Sequence, residues 1–254
     1  MKINGQTVIV TGGGSGLGAA TARYLSDKGA HVAIFDFDSE RGAEVASDVG
    51  GRAYQVDVSD AQTVGQVVEE VARDFGVPAR IAVNCAGIAP AARVVGREGK
   101  MSTDIFEQTL RVNLIGTYNV MSHAARLMQT LDPLDTGERG VVINTASAAY
   151  QDGQLGQAAY AASKGGVAAM CLPVAREFAK TGIRCVAIAP GLFRTPMMEA
   201  LPEETTAAIT ANIPFPDRLG DPAEFGKMVA QIVENPYLNG TTIRLDAAVR
   251  LPPR

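Results

Sequence analysis

An α/β fold, with a doubly wound parallel sheet of seven strands in a single domain spanning residues 1–254, is predicted by three observations. Short apolar runs alternate with amphipathic segments along most of the chain, the pattern of strands joined by crossover helices. A glycine-rich turn follows the first apolar run directly. The polar and glycine motifs fall just after the carboxyl ends of predicted strands, where open α/β sheets bind ligands. Composition agrees: 46% of the 254 residues are hydrophobic but only 6% aromatic, with no Trp, so Ala, Val, Ile and Leu must build the core.

The first strand is Thr7 to Val10, running into Thr11-Gly-Gly-Gly-Ser-Gly-Leu-Gly18. A periodic segment from Ala19 to Lys28 then reads as a helix stopped by Gly29. Glycines clamped between a strand and a helix let the backbone approach a pyrophosphate, which the helix N-terminus attracts. The Gly-x-Gly-x-x-Gly/Ala pattern fits loosely at Gly14, Gly16 and Ala19; Gly12-x-x-x-Gly16-x-Gly18 describes the turn better. The second strand, His31 to Phe35, ends at Asp36, 18 positions after Gly18. That is near the spacing of an acid that binds adenosine ribose hydroxyls and repels a 2′-phosphate. With Phe37 next and no Arg or Lys in the glycine turn, NAD is favoured over NADP, Arg41 being the one nearby cation against it.

Arg52 to Val56 reads as the third strand. Asp57 after it is either an adenine contact or a turn residue. Ser59-x-x-Gln62 predicts a capping box opening a helix to about Phe75. Ile81 to Asn84 is the fourth strand, and the small-residue bend Cys85-Ala-Gly87 lets a ligand lie against backbone. Residues 88–103, with Arg93, Arg97 and Lys100, are a solvated loop or a contact for an anionic substrate tail. Leu114, Tyr118, Met121, Ala125 and Met128 recur every three or four positions, predicting a helix buried along that stripe. Asn113 at its start needs hydrogen-bond partners, water included, because a buried unsatisfied amide costs about 1–3 kcal/mol.

Val141 to Ile143 is the fifth strand, leading into Asn144-Thr-Ala-Ser147. A turn-rich connection then reaches Tyr160-Ala-Ala-Ser-Lys164, in a helix from Ala158 to about Lys180 that Pro173 should kink. Tyr160 and Lys164, four apart, project from one helix face. A free tyrosine, with a pKa of about 10, trades protons poorly at neutral pH. An ammonium beside it is expected to favour the phenolate and make it a general acid/base. The Ser147 hydroxyl can donate to a substrate oxygen as charge develops there. Ile183 to Ala189 is the sixth strand, followed by Pro190-Gly191. Residues 192–216 break the rhythm and read as a partly helical flap over a pocket, including Met197 and Met198. Asp221-Pro222-Ala-Glu224 starts the last helix, and Thr241 to Leu245 is the seventh strand.

The formal charge of −4 argues against an electrostatic nucleic-acid binder. Cys85, Cys171 and Cys185 lack metal-ligand spacing and are expected reduced and buried; no metal is expected. The first strand begins so early that no targeting segment is expected, nor is any apolar run long enough to cross a bilayer, so no membrane partner is expected and a cytoplasmic location is.

Together Thr11-Gly12-x-x-x-Gly16-x-Gly18, Asn84-Cys-Ala-Gly87, Asn113, Ser147, Tyr160-x-x-x-Lys164 and Pro190-Gly191 resemble the short-chain dehydrogenase/reductase family over nearly the whole chain. The resemblance implies a Rossmann fold, a nicotinamide cofactor and a catalytic set of Asn113, Ser147, Tyr160 and Lys164, with Asn113 anchoring a water. Val142-Ile-Asn-Thr-Ala-Ser147, Gly153-Gln-Leu-Gly-Gln-Ala-Ala-Tyr160, Ile188-Ala-Pro-Gly-Leu-Phe193 and the stretches from Pro214 to Glu224 and Glu234 to Gly240 are similar to the type 2 3-hydroxyacyl-CoA dehydrogenase branch, also called type 10 17β-hydroxysteroid dehydrogenases. That branch implies NAD, acyl-CoA thioesters with some steroid activity, and a homotetramer. Carried over, the cofactor contacts are Gly12, Ser15, Gly16, Leu17, Gly18, Asp36, Asp57, Val58, Asn84, Cys85, Ala86, Gly87, Tyr160, Lys164, Pro190, Gly191, Phe193 and Thr195. The small-molecule substrate is expected at Ser147, Gln154, Gln157 and Tyr160. Loop 93–103 departs from the branch. Two other readings stay open: an NADP-dependent 3-oxoacyl-carrier-protein reductase or steroid dehydrogenase, and a scaffold that binds NAD without chemistry.

Overall fold

The computed structural model describes residues 1–199 and 203–253. The strands are β1 (Thr7–Thr11), β2 (His31–Asp36), β3 (Arg52–Gln55), β4 (Ile81–Asn84), β5 (Gly140–Thr145), β6 (Ile183–Pro190) and β7 (Thr242–Leu245). The helices are α1 (Gly16–Asp27), α2 (Ser39–Asp48), α3 (Ala61–Asp74), α4 (Thr103–Leu110), α5 (Gly116–Met128), α6 (Ala158–Phe178), α7 (Pro196–Glu199), α8 (Glu203–Thr210) and α9 (Pro222–Glu234). The seven strands pair in parallel in the order 3-2-1-4-5-6-7. The chain therefore winds outward from the middle in both directions, and the switch point lies between β1 and β4, where a crevice opens at the strands' carboxyl ends.

Side-chain alternation along the strands divides the core. Val8, Val10, Ile34, Val83, Ile143, Val186 and Ile188 face α1, α2 and α9, where Leu25, Val45, Phe225 and Val229 meet them. On the other face Ala82, Val142, Cys185 and Ala187 lie under Met121, Ala125, Met128, Val167 and Cys171 of α5 and α6. Ile9, Ala33 and Phe35 lie under Val64, Val68 and Val71 of α3. Small residues in the middle of that second face let α5 and α6 approach the sheet closely.

Three expectations are corrected. The α3 cap is Asp60, whose carboxylate accepts from the Gln62 and Thr63 amides at 3.0 and 3.3 Å, and not Ser59. Asp ranks with Ser as an N-cap, and placing the cap one residue later puts Val64, Val68 and Val71 on the sheet side. Helix begins again at Thr103 rather than near Asn113, and Asn113 sits inside a π-helical turn, Arg111–Ile115, that joins α4 to α5. Tyr118 leaves the buried stripe and is 54% exposed; it stands at the edge of the α5 face on which Val120, Met121, Ala124, Ala125 and Met128 are buried. The region of residues 192–216 holds α7 and α8, while its residues 200–202 lie outside the described ones. The α9 start is as expected: Asp221 accepts from Ala223, Glu224 accepts from the Asp221 amide at 2.8 Å, and Pro222 is the first residue. Among the described residues no helix is long and apolar enough to cross a membrane.

Candidate active site

The crevice holds one elongated cavity of about 670 Å³. At one end stands the glycine turn. A Cβ on Gly12 (φ +61°) would fall 2.8 Å from the Ala86 amide nitrogen, and one on Gly18 would run into the Gly12 carbonyl, so only glycine lets the turn fold this tightly onto β4. Thr11 ties the same two strand ends together, its hydroxyl accepting from the Cys85 and Ala86 amides, both at 3.1 Å. Ser15 is the N-cap of α1 in extended backbone and makes no side-chain cap bond, leaving its hydroxyl and the first helical amides facing the cavity it lines.

Asp36 lines the cavity at the end of β2. Its carboxylate is fixed by the Gly14 amide at 2.8 Å and the Asp38 amide at 3.0 Å, with acceptor capacity left on each oxygen. Arg41 turns from it and pairs with Asp38 at 3.4 Å. Asp57 accepts from the Ser59 amide at 2.9 Å, as a turn residue does, and also lines the cavity.

At the other end Ser147, Tyr160 and Lys164 meet. Ser147 follows β5 and its oxygen accepts the Ala149 amide at 3.2 Å, which leaves its own hydrogen free to donate. Tyr160 and Lys164 share one face of α6, the ammonium 5.8 Å from the ring centroid. Lys164 donates to the Thr145 carbonyl at 2.8 Å. Burial pushes Lys164 down from 10.5 to about 8. The expectation that Lys164 lowers the Tyr160 pKa is corrected. Burial raises Tyr160, the Ser147 hydroxyl works against that rise, and the ammonium is aimed at a carbonyl rather than at the phenol. In this pocket desolvation, which disfavours both charged forms, outweighs their mutual attraction. Cys85 lines the same region, and burial pushes its thiol up to about 11, so it stays protonated.

Of the expected site residues, two do not line the cavity. Asn84 is buried between strands and donates to Asn144 at 2.8 Å, its β5 partner in the sheet register. Asn113 is fully buried; both its N–H groups are spent, on the Ile88 carbonyl (2.9 Å) and the Ser163 hydroxyl (3.0 Å), and its oxygen accepts the Ile88 amide at 2.8 Å. Ser163 in turn donates to the Tyr160 carbonyl at 2.8 Å, so Asn113 braces the helix that carries Tyr160 and Lys164. All the others line the cavity, Gln154, Gln157, Phe193 and Thr195 included. Thr145, Gln108, Val112 and Leu251 also line it and were not anticipated. Thr145 was legible as the end of an apolar run beside Ser147; the other three are brought there by tertiary contacts with no local signal. Arg97 and Lys100 lie off the cavity, and Arg93 borders a shallow neighbouring depression beside Gln154 and Gln157.

A dinucleotide-sized cavity at the switch point, with a glycine cradle at one end and a tyrosine–lysine–serine cluster at the other, defines a nicotinamide-linked dehydrogenase. The comparisons with known proteins agree. A model of the family described as short chain dehydrogenase matches residues 6–206, and the chain belongs to that family. It is 44% identical over 256 residues to a Homo sapiens protein named 3-hydroxyacyl-CoA dehydrogenase type-2, covering 99% of this chain and 98% of that one. A Mycobacterium avium crystal structure of the same name superposes with a TM-score of 0.91 at 38% identity over the whole of both chains. A Brucella melitensis structure titled ribose-5-phosphate isomerase also superposes, at TM-score 0.84 and 28% identity, covering 97% of this chain and 92% of that one. The protein is thus an oxidoreductase that works with a nicotinamide cofactor on a small-molecule substrate.

Proposed function

We propose that the protein interconverts 3-hydroxyacyl-CoA and 3-oxoacyl-CoA with NAD, using Ser147, Tyr160 and Lys164 as the reacting set and Asn113 as the positioning group behind them. The convergence of these three side chains on the cavity that Asp36 closes at its far end carries the reading. The cradle fits the cofactor: the turn at Gly12, Gly16 and Gly18 admits a pyrophosphate against free α1 amides, with Ser15 beside it. Asp36 supports NAD over NADP, because a fixed carboxylate accepts ribose hydroxyls and repels a 2′-phosphate. When bound, the nicotinamide supplies the hydride acceptor for oxidation and the hydride donor for reduction.

In reduction Tyr160 gives its Oη proton to the ketone oxygen and is left as phenolate. The Lys164 ammonium balances that charge from the same helix face. Ser147 donates to the substrate oxygen with the hydrogen that its bond from Ala149 leaves free. Oxidation runs the proton the other way. Asn113 holds Ile88 and, through Ser163, the Tyr160 turn in register. Gln154 and Gln157 form the substrate wall, with Leu192, Phe193 and Met198 beside it. The acyl-CoA substrate rests on the names of the most similar relatives. Exposed Ile115 of the π turn, Tyr118 of α5 and Leu172 of α6 support self-association as a homotetramer.

The test is oxidation of NADH by acetoacetyl-CoA with NADPH in parallel. Turnover is expected with NADH and at least tenfold less with NADPH; equal rates would sink the Asp36 argument. Tyr160→Phe is expected to lower kcat by about 10²–10⁴-fold while NADH still binds, and unchanged turnover would remove Tyr160 from the mechanism.

A further inference from the structure

After β7 the chain turns back onto the connection between Ser147 and Tyr160 and brings Leu251 to the cavity. The turn is unusual. Ala247 and Ala248 have φ of 49° and 61°, a left-handed conformation that L side chains rarely adopt. It is held by Asp246, which accepts the Ala248 amide at 3.1 Å on its side chain and the Val249 amide at 2.9 Å on its carbonyl. The following segment docks through three bonds. The Leu251 amide donates to Asp152 at 3.4 Å, Gln154 donates to the Pro252 carbonyl at 3.0 Å, and the Leu155 amide donates to the Pro253 carbonyl at 3.0 Å. Two consecutive prolines keep this stretch extended, and Leu251, preceding one, is restricted too.

Arg244 locks the arrangement from beneath. Its guanidinium binds both Asp152 oxygens at 2.7 and 3.2 Å, Asp246 at 2.6 Å, Gln151 at 2.8 Å and the Val249 carbonyl at 3.1 Å. One planar fork thus joins the end of β7, the strained turn and the loop that leads from Ser147 to Gln154.

We propose that residues 249–253 are a wall of the substrate end of the cavity, in which Leu251 limits the size of the apolar substituent on the reacting carbon. Arg244, through Asp152, is the positioning residue that holds the wall. Leu251 presents no polar group, so it selects by volume. The assignment rests on the reading that substrate reacts at Ser147 and Tyr160.

The full chain, with Leu251→Ala, Leu251→Phe and Arg244→Lys, is assayed for NADH-dependent reduction of 3-oxoacyl methyl esters with acyl chains from 4 to 12 carbons. A pocket altered by a few methylenes changes discrimination roughly tenfold or more. Leu251→Ala is therefore expected to raise kcat/KM for the longest ester relative to the shortest by about tenfold, and Leu251→Phe to lower that ratio. Arg244→Lys is expected to raise KM with kcat nearly held; a merely structural role would scale kcat for every ester equally and leave KM unmoved. A Leu251→Ala profile that superposes on that of the parent chain overturns the proposal. The esters carry no CoA, so failure of acetoacetyl-CoA as a substrate sinks the thioester reading alone. If no ester turns over, quenching of bound-NADH fluorescence by the same series reads the profile, and identical titrations there also overturn it.

Discussion

Arg184 and Lys164 are both basic and both buried, 6% and 4% exposed, at opposite ends of the same parallel sheet. Arg184, near the amino end of β6, is met by four hydrogen bonds. It pairs with Glu138 at 2.6 Å and donates to the carbonyls of Ile232, Leu238 and Val233 at 2.8–3.0 Å. Glu138 also takes the Met1 amino group at 2.9 Å. Lys164, at the carboxyl end, has the Thr145 carbonyl as its one hydrogen-bond partner among the described residues. The difference separates structure from chemistry. A buried charge met by a carboxylate and three carbonyls fixes three elements together. A buried charge with one neutral partner is held near the point of losing its proton, which is the condition for acid–base work.

The comparison breaks most visibly in turnover. Lys164→Met is expected to reduce kcat by about 10²–10⁴-fold with little loss of melting temperature, because the buried ammonium it removes was itself a cost. Near-normal turnover in that variant would place Lys164 with Arg184. The reverse signature belongs to Glu138→Ala. Stranding Arg184 without its carboxylate should cost about 3–5 kcal/mol in denaturant unfolding, with kcat per folded molecule unchanged. A smaller effect is carried by pH. Lys164 is lowered to about 8 in the fold from 10.5, so the unfolded chain binds the proton more tightly. Below pH 8 both states carry it and the contribution is constant. From pH 8 to 10.5 only the unfolded state does, and stability from this group rises by roughly 3 kcal/mol. Subtracting the pH–stability curve of Lys164→Met from that of the parent chain isolates this rise; a flat difference would contradict the buried, half-met ammonium.

The sequence carried one side of this contrast better than the other. Tyr160 and Lys164, the glycine turn and Asp36 are local patterns whose chemistry is read from spacing, and all of them reach the cavity. Arg184 gave no signal, since its partners lie 46 to 54 positions away. The direction of the Tyr160 shift was missed for a related reason: four-residue spacing states that two groups are neighbours but not how dry they are. Asn84 reads in sequence like the small-residue bend it precedes, yet its side-chain amide donates to Asn144 across the sheet. Asp60 and Ser59 are equivalent as caps until α3 has a sheet to face. Leu251 follows no motif and reaches the cavity only because Arg244 folds the chain back.

The π turn at Arg111–Ile115 gives the chain ahead of α5 one residue to spare. Each residue of an α-helix advances the phase by about 100°, and a π turn absorbs one residue beyond the α-helical count. Removing one residue between 111 and 115 would restore a continuous α-helix and leave everything downstream in the same phase, whereas removing one from Gly116 to Asn119 would swing the rest of α5 by that angle. Val120, Met121, Ala124 and Met128 would leave the sheet, and polar neighbours would be driven under it. Tolerance of a one-codon deletion therefore ends where the π turn does, at the first residue of α5.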